Sequence, residues 1–229
     1  MAEGILSVVA TPIGNMGDIT QRALDTLNSS DLILCEDTRV TKVLLDRYNI
    51  KKPMISLNAQ SEGRKVEHII SEIKMGKRCA LVSDAGTPCI SDPGTILISE
   101  ARKTEIQIEG IPGANAAILA LSISGIPVDS FVFDGFLPQK KGRQKKLKQL
   151  AEEERTVVFY ESVYRIIKLL EELKEYMPER YVLVFRELTK KFEEVWRGTP
   201  EEILETIDEK KIKGEFVVVL SPLSWKNYK

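Results

Sequence analysis

Residues 80–94 read Ala-Leu-Val-Ser-Asp-Ala-Gly-Thr-Pro-Cys-Ile-Ser-Asp-Pro-Gly, a short apolar run followed by a dense run of turn residues. The apolar part predicts a buried strand. The segment 83–94 that follows it holds two Gly, two Pro and two Asp and contains no Lys or Arg. In open α/β sheets, ligands bind in loops at the carboxyl ends of the strands. We therefore expect this loop to bind a ligand, with an ordinary surface loop as the alternative.

The strand before this loop belongs to a regular alternation of strands and helices in the first half of the chain. The predicted strands cover residues 5–10, 31–35, 54–57, 79–82 and 106–108. The predicted helices cover residues 21–28, 41–48, 64–75, 95–102 and 114–122. Such a rhythm predicts a mostly parallel sheet.

The pattern changes after residues 125–127, which read Gly-Ile-Pro. Beyond them the predicted strands cover residues 131–136, 156–160, 181–186 and 215–220, and the predicted helices cover 162–175 and 201–209. We therefore expect two α/β domains, residues 1–126 and 127–229, with a ligand cleft between them.

Composition restricts the class of protein. Hydrophobic residues make up 43% and charged residues 29% of the 229 residues, which is typical of a well-packed soluble chain. No apolar run is long enough to span a bilayer and no signal peptide precedes the first strand, so we expect a cytoplasmic protein. The net charge of −1 means that any nucleic-acid-binding surface must be local.

The cysteine and histidine content argues against two common kinds of site. The three cysteines have no paired spacing, so we expect reduced thiols and no metal site. His68 is the single histidine and lies in an amphipathic helix pattern, where we expect it to be exposed. Histidine-based triads and zinc sites are therefore disfavoured.

Two further strand ends carry polar or glycine-rich turns. Residues 11–18 read Thr-Pro-Ile-Gly-Asn-Met-Gly-Asp, which matches neither the dinucleotide fingerprint nor the P-loop. This turn fits a ligand or a purely structural role equally well. Residues 35–39 read Cys-Glu-Asp-Thr-Arg, where the acids suit a helix N-terminus and the Arg suits a phosphate group. Capping and function are equally compatible with that motif.

Three later segments complete the set of candidates. Residues 111–117 open a helix with almost no side-chain bulk, which suits either a flat ligand or close helix packing. Residues 186–198 form a charged stretch around Trp196, for which a solvated face is the favoured interpretation. Residues 140–148 hold six Lys or Arg, a local footprint for a phosphate backbone or simply one charged helix.

Together these motifs resemble a known family. They read VATPIGNMGDIT (9–20), CEDTR (35–39), SDAGTPCISDPG (83–94), IPGANAA (111–117), FVFDGFLP (131–138), FYES (159–162), RELTKKFEEVWRGT (186–199) and GEFVVVL (214–220). In this order they are similar to the bacterial small-subunit ribosomal RNA methyltransferase I family, of the tetrapyrrole-methylase-like fold. The resemblance implies an S-adenosylmethionine-dependent enzyme that methylates the ribose 2′-hydroxyl of a decoding-centre cytidine in 16S rRNA, and a homodimer.

The resemblance also implies a role for particular residues. It assigns cofactor binding to Pro12, Ile13, Gly14, Gly86, Thr87, Pro88, Ile90, Ser91, Asp92, Ala116, Ala117, Tyr160 and Arg186. S-adenosylmethionine has no phosphate, which agrees with the missing phosphate loops, and its sulfonium suits a loop without cations. Longer members of the family continue past the last strand with a helical extension, whereas this sequence ends at Lys229, so we expect the basic stretch and the dimer to hold the RNA.

For the reaction we expect direct in-line methyl transfer, in which positioning supplies much of the acceleration. Asp37 or Glu36 is the expected base, and Arg39 and Lys190 are expected to orient RNA phosphate or stabilise the oxygen. Two alternatives use the same scaffold: a tetrapyrrole-precursor C-methyltransferase, and a non-catalytic RNA-binding module for ribosome assembly.

Overall fold

The computed structural model describes residues 4–58, 60, 62–207 and 212–225. The chain divides into two compact units, residues 1–115 and 116–229. Each unit is built around one five-stranded sheet.

The first unit contains the predicted parallel sheet. Its strands are β1 (Ile5–Val9), β2 (Leu32–Cys35), β3 (Met54–Ser56), β4 (Arg78–Leu81) and β5 (Gln107–Ile111). They lie side by side in the order β3-β2-β4-β1-β5, and every pairing is parallel. The carboxyl ends of all five strands therefore lie along one edge, where the loop after β4 begins.

Both faces of this sheet are buried, which explains why its strands read as continuous apolar runs. Successive side chains of β4 and the residue after it alternate between the two faces. Cys79 and Leu81 belong to one apolar cluster, and Ala80 and Val82 belong to the other. Burying an aliphatic side chain of this size contributes roughly 1.5–3 kcal/mol, so the two clusters fix which residues face inward.

Four α-helices cover the first sheet: α1 (Gln21–Ser29), α2 (Thr38–Arg47), α3 (Glu62–Lys74) and α4 (Thr95–Lys103). A short 3₁₀ helix, Met16–Asp18, precedes them. Helix α1 begins where expected because the Thr20 hydroxyl accepts a hydrogen bond from the Ala23 N–H at 3.1 Å. Helix α2 begins three residues before the predicted start because Asp37 acts as its N-cap. His68, on α3, is exposed as predicted.

The second unit contains a mixed sheet. Its elements are α5 (Ala116–Ile123), β6 (Phe131–Phe136), α6 (Arg143–Glu152), β7 (Thr156–Ser162), α7 (Ile166–Tyr176), β8 (Val182–Arg186), β9 (Glu194–Gly198), α8 (Pro200–Thr206) and β10 (Glu215–Leu220). The strand order is β6-β7-β10-β8-β9. Only β6 and β7 pair in parallel, and the other three pairings are antiparallel. The predicted helix at 201–209 ends earlier, at Thr206, and its last two residues lie outside the described part of the chain.

Residues 186–198 contain a strand that the sequence did not predict, β9, and most of β9 is exposed, as a solvated face requires. Val184 lies opposite Trp196, and Arg186 lies opposite Glu194, so β9 extends the sheet beyond β8. Charged side chains are normal on an edge strand because they oppose pairing with another chain. The charge density of the segment therefore concealed a strand.

Helix α5 belongs to the second compact unit, although the sequence places it before the predicted domain boundary at 126/127. The helix packs against β7 and β10, which explains why the division falls after Asn115. The boundary between folding domains stays a prediction.

The described helices are short, and the longest, α3, has 13 residues. Within the described ranges, no helix has the length and the apolar character that crossing a membrane requires.

Candidate functional site

Three loops at the carboxyl edge of the first sheet are joined by hydrogen bonds. The N–H of Thr11, after β1, donates to the carbonyl of Gly86 at 2.8 Å, and the N–H of Gly86 returns a bond to the Thr11 carbonyl at 3.2 Å. The Thr87 hydroxyl donates to the carbonyl of Ala114, after β5, at 3.0 Å. The loop after β4 is therefore fixed between its two neighbours rather than free at the surface.

The backbone of this loop is strained. Cys89 and Ser91 have φ angles of 69° and 68°, in the left-handed region that L-residues with a side chain rarely adopt. Each such residue costs of order 1–3 kcal/mol, and the surrounding contacts must hold it in place. Such strain is concentrated at turns and ligand sites, which agrees with the predicted use of the loop.

The turn that holds Pro12, Ile13 and Gly14 lies beside the loop after β4, because Thr11 at its start is hydrogen-bonded to Gly86. Pro12 and Ile13 are buried, and Gly14 is exposed. A Cβ placed on Gly86 would lie 3.1 Å from Cγ2 of Ile13, so the two turns approach closely. The cofactor-binding role of the three residues remains a prediction.

The remaining predicted residues of the loop differ in exposure. Pro88 is buried and Thr87 is half-buried, whereas Ile90 and Ser91 are exposed. Asp92 is half-buried, and burial, with the charge of Glu36 as the next cause, raises its pKa to about 6. The loop thus presents polar groups and an acid whose charge depends on pH near neutrality.

The acids after β2 differ sharply in their environments. The Asp37 carboxylate accepts hydrogen bonds from Nε of Arg39 at 3.0 Å and from Nη2 at 2.5 Å, and it caps α2 through the Arg39 N–H. The Arg39 hydrogen bonds lower the pKa of Asp37 to about 2. By contrast, burial, followed by the charges of Asp84 and Asp37, raises the pKa of Glu36. The two neighbours therefore have different affinities for a proton.

Asp84 joins these acids to the loop after β4, and the sequence alone did not single it out. Its Oδ1 accepts a hydrogen bond from the Asp37 N–H at 3.0 Å. The signal was present, since Asp84 lies inside the motif at 83–94, but the motif gives no indication of its partner.

In the second unit, Tyr160 and Arg186 lie at the same end of the sheet. Tyr160 lies opposite Val217 of β10, and Arg186 lies opposite the adjacent residue, Phe216. The Tyr160 ring contacts Phe136, with ring centroids 5.6 Å apart. Because side chains alternate between the two faces of a sheet, this register directs Tyr160 and Arg186 to opposite faces, so the structure does not bring these two predicted cofactor residues onto one surface.

The cations at this end of the sheet already have partners. Arg186 donates from Nε to the carbonyl of Lys213 at 2.7 Å and from Nη1 to Glu194 at 3.0 Å. Lys190 Nζ bonds to Glu187 at 2.9 Å and to Glu215 at 2.8 Å. These carboxylates were not singled out from the sequence. Any anion that binds Lys190 must compete with them.

Ala116 and Ala117 form the first turn of α5, where Ala116 is half-buried and Ala117 is buried. In the segment before them, a Cβ on Gly113 would lie only 2.9 Å from Cβ of Ala10. Close packing against Ala10 therefore explains why position 113 is a glycine. The ligand-binding role of Ala116 and Ala117 stays a prediction.

Comparison with known proteins identifies the family. The sequence profile of the Tetrapyrrole (Corrin/Porphyrin) Methylases matches residues 6–204. Ribosomal RNA small subunit methyltransferase I of Thermotoga maritima is 45% identical over 218 residues, which cover 95% of this chain and 98% of the relative. The Haemophilus influenzae protein of the same name is 47% identical over 221 residues, covering 95% and 78%. The chain belongs to the ribosomal RNA small subunit methyltransferase I family.

Solved structures agree with the tetrapyrrole methylase fold of this methyltransferase. Diphthine synthase superposes with a TM-score of 0.73 at 15% identity, covering 95% of this chain and 90% of that one. Uroporphyrin-III C-methyl transferase from Thermus thermophilus, complexed with S-adenyl homocysteine, gives a TM-score of 0.65 at 16% identity, covering 95% and 97%. At these identities the likeness concerns the fold alone.

The methyltransferase uses S-adenosylmethionine as its cofactor. The loop after β4 fits a sulfonium cation, because Asp84 and Asp92 supply negative charge and no Lys or Arg lies between residues 83 and 94. A metal is not indicated: the described residues contain no group of three or more His, Cys, Asp or Glu side chains able to hold one.

Proposed function

We propose that this methyltransferase acts in the cytoplasm, as a homodimer, on the ribose 2′-hydroxyl of a decoding-region cytidine in small-subunit rRNA. The observation that carries the proposal is the identity of 44–47% over about 95% of the chain to relatives named for this rRNA. The acids and cations at the strand ends support it, since the hydroxyl proton needs an acceptor and RNA needs cations.

We propose Glu36 as the base and Asp37 as the residue that positions Arg39. A base works best when its pKa approaches the operating pH, and burial raises the pKa of Glu36 while Arg39 holds that of Asp37 near 2. The cofactor supplies a methyl group made electrophilic by its sulfonium charge. As the ribose oxygen bonds to the methyl carbon, the carbon–sulfur bond would break and its electron pair would stay on the sulfur of S-adenosylhomocysteine. Glu36 would receive the hydroxyl proton, and Arg39 and Lys190 would hold the flanking phosphates.

The proposed cofactor-binding residues fall into two groups, one in each unit. Pro12, Ile13, Gly14 and residues 86–92 would hold the methionine and ribose portions. Ala116, Ala117, Tyr160 and Arg186 would hold the adenosine from the second unit. The hydrogen-bonded loops at the carboxyl edge of the first sheet support the first part of this assignment, and the family resemblance supports the second.

Single-turnover methylation of the small ribosomal subunit separates the roles of the two acids. Glu36→Gln is expected to lower the rate by about 10²–10⁴-fold and to abolish its rise with pH. Asp37→Asn keeps an N-cap residue on α2 but releases Arg39, so it should mainly weaken RNA binding. Equal rates for Glu36→Gln and the unchanged protein would rule Glu36 out.

The substrate is tested by mapping 2′-O-methylation of rRNA from cells with and without the gene. We expect the loss of one ribose methyl in the decoding region. Transfer of a labelled methyl group to a tetrapyrrole precursor, with none to the small subunit, would contradict the proposal. Sedimentation should give a mass near twice the 25.8 kDa of one chain, and a single-chain mass would refute the homodimer.

A further inference from the structure

The end of β6 and the segment after it present an exposed aromatic ring next to exposed lysines. Phe136, the last residue of β6, has 54% of its surface in contact with solvent. A single exposed ring is common at a protein surface, and it is the neighbouring lysines that distinguish this one. The arrangement is not explained by the core of the second unit.

A β-bulge directs this ring. Phe133 lies opposite Val158 and Phe136 opposite Tyr160, so β6 has one more residue than β7 between these pairs. In a regular strand, residues three apart face opposite sides, yet both phenylalanine rings contact Tyr160, with centroids at 5.3 and 5.6 Å. Gly135 makes the bulge with a φ of 57°. The fold thus turns Phe136 onto the Tyr160 side and leaves it exposed there.

Two of the six cations in 140–148 fix the segment to the unit. Arg143 is only 5% exposed and binds Glu172 from Nε at 2.9 Å and from Nη2 at 2.5 Å. It also donates from Nη1 to the carbonyl of Pro138 at 3.0 Å. Lys146 bonds to Asp134, within the bulge, at 2.6 Å. Helix α6 is therefore held against the bulge, and the loop between them is anchored.

The other four cations, Lys140, Lys141, Lys145 and Lys148, are exposed. Within the described ranges, none of the four forms an ion pair or a side-chain hydrogen bond. Lys140 follows Phe136 by four residues, a reach of at most about 14 Å. The same anchored segment therefore carries a ring for stacking and cations for phosphate.

We propose that Phe136 and the lysines at 140, 141 and 145 form a single-stranded RNA-binding site, in which a base stacks on the ring and the lysines hold the backbone. Single-strand sites combine aromatic platforms with positive charge, because every base has a stacking face. A duplex buries those faces. The proposal rests on the proposed function, since it supplies the site that holds the rRNA substrate beside its target nucleotide.

Fluorescence anisotropy with a short labelled single-stranded RNA and the full chain tests the ring. Phe136→Leu should weaken binding by roughly 5- to 150-fold, while Phe136→Tyr should retain it, since only the ring stacks. Phe131→Ala is the matched control, because Phe131 is 37% exposed at the opposite end of β6. Binding of a labelled RNA duplex should be unchanged in Phe136→Leu.

The lysines are tested by the salt dependence of the same binding. For single strands the slope of log K against log salt is about 0.7 per phosphate contact, so the triple variant with Ala at 140, 141 and 145 should lose about 2 from that slope. Phe136→Leu should keep the slope. Lys168→Ala, at an exposed site on α7, is the control and should change neither quantity.

Calorimetry with S-adenosylmethionine and thermal melting accompany each variant, and both should match the unchanged protein. If the unchanged protein methylates rRNA while Phe136→Leu and the triple variant bind RNA normally, the RNA-binding site proposed at Phe136 is wrong and the proposed function still stands. A loss shared with Phe131→Ala or with cofactor binding also rules out this site. If the unchanged protein binds cofactor but neither binds nor methylates rRNA, the proposed function fails as well.

Discussion

Asp92 shows how the fold changes the chemistry of a single residue. An aspartate in an unfolded chain has a pKa near 3.9, whereas burial and Glu36 raise that of Asp92 to about 6. The folded state therefore holds more protons than the unfolded state between about pH 4 and 6. The contribution of Asp92 to the free energy of unfolding is therefore fully present below pH 4 and is lost as the pH rises through 6.

Asp92→Asn removes this titration. We expect the variant to be more stable than the unchanged protein at pH 7, by about 1–3 kcal/mol, and equal to it near pH 4. Urea denaturation at both pH values measures the difference. Asp46→Asn, at an exposed site on α2, is the control, and an equal gain in both variants would contradict the prediction.

Gly94 is required by the close approach of its neighbours. Its φ is 124°, and an added Cβ would lie 2.7 Å from Cδ2 of Leu81 and 2.8 Å from Sγ of Cys89. We expect Gly94→Ala to destabilise the fold by about 2–4 kcal/mol.

A matched glycine provides the control. A Cβ on Gly63, in α3, would have no neighbour within 4 Å, so Gly63→Ala should stabilise by about 0.5–1 kcal/mol. Similar urea midpoints for the two variants would show that the loop relaxes around the new methyl group.

At the scale of elements, α6 depends on one buried cation. Arg143 lies between Glu172 and the carbonyl of Pro138, and its Nη1 is 3.9 Å from the fully buried Glu161. Glu161 in turn pairs with Arg165 at 2.7 Å. The position of the helix is therefore set by paired charges as well as by apolar contacts.

We expect Arg143→Ala to destabilise the protein by about 3–5 kcal/mol, because it removes the ion-pair partner of Glu172, whose side chain is only 16% exposed. Lys145→Ala, on the exposed face of the same helix, should change stability by no more than about 0.5 kcal/mol. Denaturant midpoints measure both. A small effect of Arg143→Ala would show that α6 is held by its apolar face alone.

At the scale of the whole molecule, the two units have separate sheets and cores, and the proposed cofactor residues are drawn from both. A ligand that binds only the folded state stabilises it by about 2.7 kcal/mol at a hundred times its dissociation constant. S-adenosylmethionine should therefore raise the melting temperature, and S-adenosylhomocysteine should do the same. No shift with either would favour the non-catalytic RNA-binding module.

Much of the fold could be predicted from local patterns. The parallel sheet of the first unit follows from its strand–helix alternation, and the strands 131–136 and 215–220 have the predicted bounds. Strand β9 was missed because its charged residues suit solvent and only pairing with β8 makes them a strand. For residues 140–148, which include the start of α6, the sequence allowed two interpretations, a charged helix or a phosphate-binding surface, because the charges alone favour neither.

The candidate site, like the fold, has features that the sequence predicts and features that only the tertiary structure shows. The sequence by itself determined which residue types stand at each strand end, and its motifs determined the family, because both are properties of local order along the chain. Only the tertiary structure decided the different proton affinities of Glu36 and Asp37, the pairing of Lys190, and the internal use of Arg143 and Lys146. Apart from the pairing of Asp37 with Arg39, which is local, these depend on burial and on partners distant in sequence, and burial and pairing set the free-energy cost of a charge.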